Sequence, residues 1–457
     1  MQKIITRGLK ALSYLCLTLI LLTAFQSKNV QAQFSQFIPD PCCEIITYSD
    51  NNSISWFYKT NRLNQQPVQE PVEDASGFWN ALMGGDFDLN NRFRSEIVQM
   101  DGLRDARAIT NRIQLGYGTL PFYGFAGYID FVDVRPIGAV RYNAAGLNNQ
   151  PNRALVPDPR LTVLNQMYGQ FAYDPYDAIL KIGRQRIIHH NARFIGNVGW
   201  RQNEQTFDAI TARSSLGIDN LELEYNYLWQ ANRVLGPTHP MGIFKSRSHL
   251  GHVTYNDFLA GGKLTGFIYL LDFETAPEFS SQTIGLRTDG GFGLIDDFRI
   301  NYAGSFARQT DAGEHPVNYG ANYFLFDINL ENEIWGKLGG AFEVLSTDDG
   351  EAAFQTPLAT LHTYQGWADV FLTTPDNGLE DLSIYGETVL PGDISTILKY
   401  HWFYFNEQGG LIGQEFNISF HKQINEYLGL MLKLADFRGK NGFTDRRKFW
   451  FQTEISF

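Results

Sequence analysis

Seven basic residues, Arg92, Arg94, Arg112, Arg287, Arg299, Lys399 and Lys433, fall on the polar side of segments that alternate polar and apolar residues. Fixed cations along the wall of a narrow passage replace the hydration that a carboxylate loses on entry. Spreading them out keeps any one site from holding too tightly. Arginine suits the task because its fork grips a carboxylate in two places and stays charged. Arg193, on a loop, is expected to fold in beside this row. Arg184 and Arg186 are harder to place: Lys181 shares a face with Gly183 and Gln185, while these two arginines continue the apolar face of Leu180 and Ile182. Either the strand bulges there, or it has left the bilayer and sets both at the mouth. The polar face also carries Glu96, Asp130, Glu222, Glu224, Asp327, Glu331, Glu343, Glu387, Glu415 and Glu454. Acids at this density can pair with the bases across neighbouring strands and stiffen a wet interior.

The histidines point to less. His401 lies beside Lys399, His421 beside Ser419, and His252 with Thr254, all on the inward side, and His189-His190 begins a loop. No HxxxH, HxH or carboxylate spacing supports a closed metal site, so no metal and no cofactor are expected. A barrel hydrolase needs Ser or Thr beside His on the outer wall, and no such nucleophile motif occurs. The reading is therefore not an enzyme, with a barrel hydrolase as the alternative of another class.

The elements that carry these residues are strands. The terminal segment puts Phe449, Phe451, Ile455 and Phe457 on one face and Trp450, Gln452, Glu454 and Ser456 on the other. Leu221–Arg233 does the same, with Tyr225, Tyr227 and Trp229 opposite Glu222, Glu224, Asn226 and Gln230. Period two with one apolar side is what a lipid-facing strand requires. Such segments recur from Asp86 to Phe457, with tight connections such as Leu120-Pro121-Phe122 and Pro391–Ile394 alternating with long ones such as Arg135–Thr162, His189–Thr206 and Ser346–Asp381. That asymmetry predicts an all-β, transmembrane, antiparallel up-and-down β-barrel of about 18 strands, 16 being the rival count. Its long loop Thr360–Asp381 is read as a gate or constriction carrying Tyr364, Trp367 and Asp369.

Outside the barrel, Lys3, Arg7 and Lys10 precede an apolar stretch ending at Phe25, and Val30-Gln31-Ala32 offers a cleavage site, so residues 1–32 read as a signal peptide for Sec-type export. Residues 33–85 are expected to be a periplasmic arm or a plug, and the Cys42-Cys43 pair is given no role. No run of 18 apolar residues follows Phe25, although aromatics make up 14% of the chain; half-apolar strands hide hydrophobicity in this way. A formal net charge of −12 argues against nucleic acid as a partner.

Three blocks resemble the alginate-export family of outer-membrane barrels. The first is Gly183-Arg184-Gln185-Arg186 with Arg193-Phe194-Ile195-Gly196, Trp200-Arg201-Gln202 and Thr206-Phe207-Asp208-Ala209. The second is Leu361-His362 with Gln365-Gly366-Trp367-Ala368-Asp369, Phe371-Leu372, Thr374-Pro375 and Gly378-Leu379. The third is the terminal strand with Trp450. The resemblance implies a monomeric barrel over 86–457 in a Gram-negative outer membrane, passing an anionic polysaccharide or another organic solute. It also implies that Phe457 is presented to the barrel-assembly machinery. The mixed wall charge sets a general small-solute porin beside that as the alternative.

Overall fold

The computed structural model describes residues 75–457 except 260 and 296, together with the backbone of two short paired strands, Tyr58–Asn61 and Gln66–Pro71. The leader and Cys42-Cys43 lie outside the described residues.

Eighteen antiparallel strands close into a barrel. They are β1 (Asp86–Met100), β2 (Ala106–Gly118), β3 (Phe125–Pro136), β4 (Leu161–Tyr173), β5 (Ala178–Gln185), β6 (Thr206–Ser214), β7 (Leu221–Asn232), β8 (Ile243–Phe258) and β9 (Gly262–Leu271). They continue as β10 (Ser281–Gly293), β11 (Phe298–Asp311), β12 (Gly320–Asn332), β13 (Gly336–Leu345), β14 (Leu379–Leu390), β15 (Ile394–Tyr404), β16 (Leu411–Gln423), β17 (Leu428–Gly439) and β18 (Arg446–Ser456). The barrel closes between β18 and β1, with Phe449 opposite Ile97 and Glu454 opposite Arg92. Phe457 extends this seam: its N–H donates to the Leu89 carbonyl at 2.9 Å, and the Leu89 N–H donates back at 3.2 Å.

The period-two pattern decides which side each residue faces. Ile113, Leu115, Ile284, Leu286, Phe324 and Phe326 stand exposed on the outer wall, while Arg112, Gln114, Thr283 and Arg287 are buried inside. An outward apolar band of this kind is the surface that lipid covers. Leu286, midway along β10, tests it. Leu286→Arg is expected to cost about 2–4 kcal/mol of folding free energy in lipid. Denaturant unfolding in vesicles measures this, and an unchanged midpoint would mean that the band does not face lipid.

Two expectations fail here, one of them at a bulge. Pairing of β6 with β7 steps from Asp208–Gln230 to Ala209–Leu228, and β8 makes the same jump across Trp229. The extra residue flips everything beyond it. Gln230, expected inside, therefore faces outward and donates to Asp208 at 3.1 Å. Arg184 joins the same outer cluster, its Nε donating to Asp208 Oδ1 at 2.6 Å. It sits outside because β5 keeps its register with β6 through Gln185. Arg184 is thus no part of the lumen.

A short helix, α1 (Phe78–Met83), lies at the tight turn after β2. The Leu120 N–H donates to the Ala81 carbonyl at 3.0 Å, and the outward-facing Tyr117 hydroxyl donates to Leu82 at 2.6 Å. Exposed Phe78 meets Trp79 and Phe122 there, and Phe122 meets Tyr123. Residues 75–85 are accordingly held at the turn after β2.

Candidate functional site: two loops joined inside the barrel

Residues 186–205, between β5 and β6, and 346–378, between β13 and β14, turn inward and pack on each other. Ile195 forms a parallel bridge with Leu358, the Gly196 N–H donates to the Leu358 carbonyl at 2.9 Å, and the Thr360 N–H donates to Ala192 at 3.0 Å. Glycine is needed at 196 because a Cβ there would overlap the Thr360 side chain. Ile187, Ile195, Trp200, Phe354, Leu358, Trp367 and Phe371 then form an apolar core with inward wall residues such as Phe207, Tyr323, Phe403 and Phe437. The inner wall, half polar by design, gains a second apolar layer from these loops.

Buried charge orients the joined loops. Arg201 reaches Glu96 at 3.0 Å and Asp369 at 3.1 Å, and Asp158, from the loop after β3, lies 3.6 Å away. Asp369 also takes Lys448 at 2.6 Å and His362 at 2.7 Å. Against burial, His362, Lys448 and Arg201 hold the Asp369 carboxyl well below the usual range. Burial pulls the His362 imidazole down to about 3, with Lys433 reinforcing it against the pull of Asp369. The neutral ring therefore donates from Nδ1 to Asp369 and accepts at Nε2 from Lys433, 3.0 Å away. His362 also stacks on Trp200 with ring centres 4.4 Å apart and planes 4° from parallel. The Lys433 ammonium sits 4.1 Å from the Trp200 ring centre and 3.9 Å from that of Trp367. Contacts of an ammonium with two indole faces favour its charge away from water.

The expected arginine row is inside but committed to partners. Glu454 binds Arg92 at 3.1 Å and Arg112 at 3.4 Å, and Arg94 donates to Gln452 at 3.0 Å through Nε. Arg92 and Arg94 also donate to the loop carbonyls of Gly199 and Trp200, at 3.0 and 2.6 Å. Arg186, past the end of β5, turns inward to Glu204. Arg193 is buried against Glu343 at 2.5 Å and Thr356 at 2.8 Å. Of these, Arg92, Arg94 and Arg193 fasten loops. Arg287, near Asp289 at 3.2 Å, and Lys399, over Tyr385, face inward, and Arg299 bonds Asn301 at 3.0 Å near the start of β11. Of the gate residues, Trp367 and Asp369 are buried in the loop core, and Tyr364 donates from its hydroxyl to the Asn191 carbonyl. Sequence reading missed Glu204, Glu343 as an anchor, and the His362 stack, although His362 stood in a block already singled out.

No family model matches the chain, and no curated protein matches it. Solved structures do. OccAB2 of Acinetobacter baumannii is 14% identical with a TM-score of 0.64, covering 83% of this chain and 99% of that one. OccK2 (OpdF) of Pseudomonas aeruginosa is 13% identical with a TM-score of 0.63, covering 82% and 98%. OpdK of Pseudomonas aeruginosa, solved with vanillate, is 12% identical with a TM-score of 0.59, covering 81% and 99%. Identity this low shows the fold: a closed 18-stranded antiparallel barrel shared with outer-membrane proteins. The resemblance to the alginate-export family is supported at that level and no finer.

Proposed function

We propose that this chain is an outer-membrane channel for small solutes that favours small organic anions. The carrying observation is the pair of loops joined inside the barrel, which narrows the lumen and leaves the loop-anchoring arginines bound to carboxylates, amides and carbonyls. A polyuronate needs an unbroken row of available cations, and arginines already occupied in holding loops favour a smaller cargo. The vanillate bound to OpdK, a small aromatic carboxylate, fits the same reading. The preference would come from Arg287, Arg299 and Lys399 on the inner wall. The chain would be exported by its leader, assembled through Phe457 and active as a monomer, with residues 33–85 as a periplasmic arm or plug segment.

Single-channel recording in planar bilayers tests this. A salt gradient should give an anion-selective reversal potential, and Arg287→Ala with Lys399→Ala should move it toward cations, most clearly at low ionic strength where screening is least. Small aromatic carboxylates should reduce the current at lower concentration than a polyuronate does. A silent bilayer, or a reversal potential indifferent to both substitutions, would remove the reading.

A further inference from the structure

A cluster of nitrogen and oxygen ligands stands where the 186–205 loop touches the wall. His189 from the loop, Glu224 from β7 and His252 from β8 each present a ligand atom, and the three atoms lie within 4.8 Å of one another. His252 and Glu224 are cross-strand partners, so the ladder itself holds two of the three. His189 Nε2 is 3.1 Å from Glu224 Oε1, and its Nδ1 is 3.1 Å from the Tyr269 hydroxyl. The His189 and His252 ring centres are 4.8 Å apart, and so are those of His190 and His252. We propose that His189, Glu224 and His252 form a binding site for a divalent transition-metal ion of the zinc, nickel or cobalt type.

Four observations converge on it. First, one buried ligand nitrogen, His252 Nδ1, has no hydrogen-bond partner among the described residues. A buried imidazole nitrogen without a partner costs free energy that a bound cation recovers. Second, His189 has the outer support that a ligating imidazole needs, because Tyr269 at Nδ1 fixes the ring and turns Nε2 toward the carboxylate. Third, the surroundings of Nε2 conflict. The Asn226 amide Nδ2 lies 3.0 Å from it and the Glu224 carboxylate 3.1 Å, so Nε2 faces a donor and an acceptor together. A cation shared by Nε2 and Glu224 satisfies the nitrogen and the carboxylate at once. Fourth, there is a way in. The side chains of Glu224 and its neighbour Glu222 are 15% and 32% exposed, against 1% for His189, so the carboxylates open toward the lumen.

The spacing also suits the class of ion. Bonds of 2.0–2.1 Å in a tetrahedral site put ligand atoms about 3.3 Å apart. The His189–Glu224 pair already has that separation, and His252 needs a side-chain adjustment on the order of 1 Å. Two imidazoles and one carboxylate with an open fourth position form a borderline donor set, one that prefers zinc, nickel or cobalt to calcium or magnesium. Because His189 belongs to the inward loop and the other two ligands to the wall, a bound ion would pin that loop to β7 and β8.

Cobalt(II) is the probe, added to the chelator-treated full chain purified in detergent without a polyhistidine tag. The expected result is one ion per chain with the visible absorption of tetrahedral cobalt, and slower amide exchange over residues 187–196. His252→Asn and Glu224→Gln keep size and hydrogen bonding, and each should weaken binding by about tenfold or more. His239→Ala, on another loop, should leave binding unchanged. Heat-modifiable mobility identifies variants that still form the barrel, and only those are compared. Absence of tetrahedral absorption, or a signal as strong in folded His252→Asn and Glu224→Gln as in the parent, overturns the site. Neither readout depends on conductance.

Discussion

Asp369→Ala is expected to raise single-channel conductance severalfold. Asp369 is the common anion of Arg201 and Lys448, and it holds Lys433 indirectly through His362. Removing one partner of a buried ion pair costs about 3–5 kcal/mol, because the charges left behind are uncompensated. At about 1.4 kcal/mol per tenfold change, that shifts the docking of the 346–378 loop by roughly two to three powers of ten. The loop would then spend part of its time outside the lumen, and the current should show larger and noisier openings. Asp369→Asn keeps the shape and one acceptor, so it should fall between the two. Conductance equal to the parent in Asp369→Ala would show that this loop does not limit the passage.

Glu454→Ala should be the most damaging single change to the barrel itself. Its carboxylate sits at the seam between β18 and β1 and faces Arg92 and Arg112, both buried. The expected loss is about 3–5 kcal/mol, seen as a lower denaturant midpoint and a smaller fraction of compact barrel on unheated gels. Adding Arg112→Ala to it should recover part of the loss, since one of the two stranded charges is removed as well. If the double variant is no better than Glu454→Ala alone, the damage comes from lost packing and the electrostatic account fails. Glu454→Gln keeps one acceptor oxygen, which in the Oε1 position still takes Arg92 and Asn90, and should be milder.

Much of the barrel was legible because its physical rule is local. Period two along β1, β2 and β18 placed Arg92, Arg112 and Glu454 inside and Phe449 and Phe457 outside without reference to any distant residue. The rule failed at Trp229, where one extra residue turned Gln230 outward, because a bulge leaves no mark in the apolar pattern. The site was less legible for a different reason. The 346–378 loop stood out by its length and by Trp367 and Asp369. That its partner would be the 186–205 loop depends on pairings such as Ile195 with Leu358, which no spacing reveals. Arg92, Arg94, Arg112 and Arg193 stand inside as expected, but the partners they hold were not legible. Charge type shows what Arg193 can grip, but only the folded chain shows that Glu343 already occupies it. His189, Glu224 and His252 were each seen singly, and a fold-level crossing brought them together.

The grip of the seam strand on the inward loop also bears on the order of assembly. Arg92 and Arg94 stand on the first strand to be made and Gln452 and Glu454 on the last, yet both arginines also hold the carbonyls of Gly199 and Trp200 from the middle of the chain. A barrel zipped shut with that loop still outside would seal those guanidinium groups in without the oxygens they bind. A loop already turned inward when the two ends of the chain meet would supply those oxygens at once, so the seam and the filling of the interior share the same two arginines.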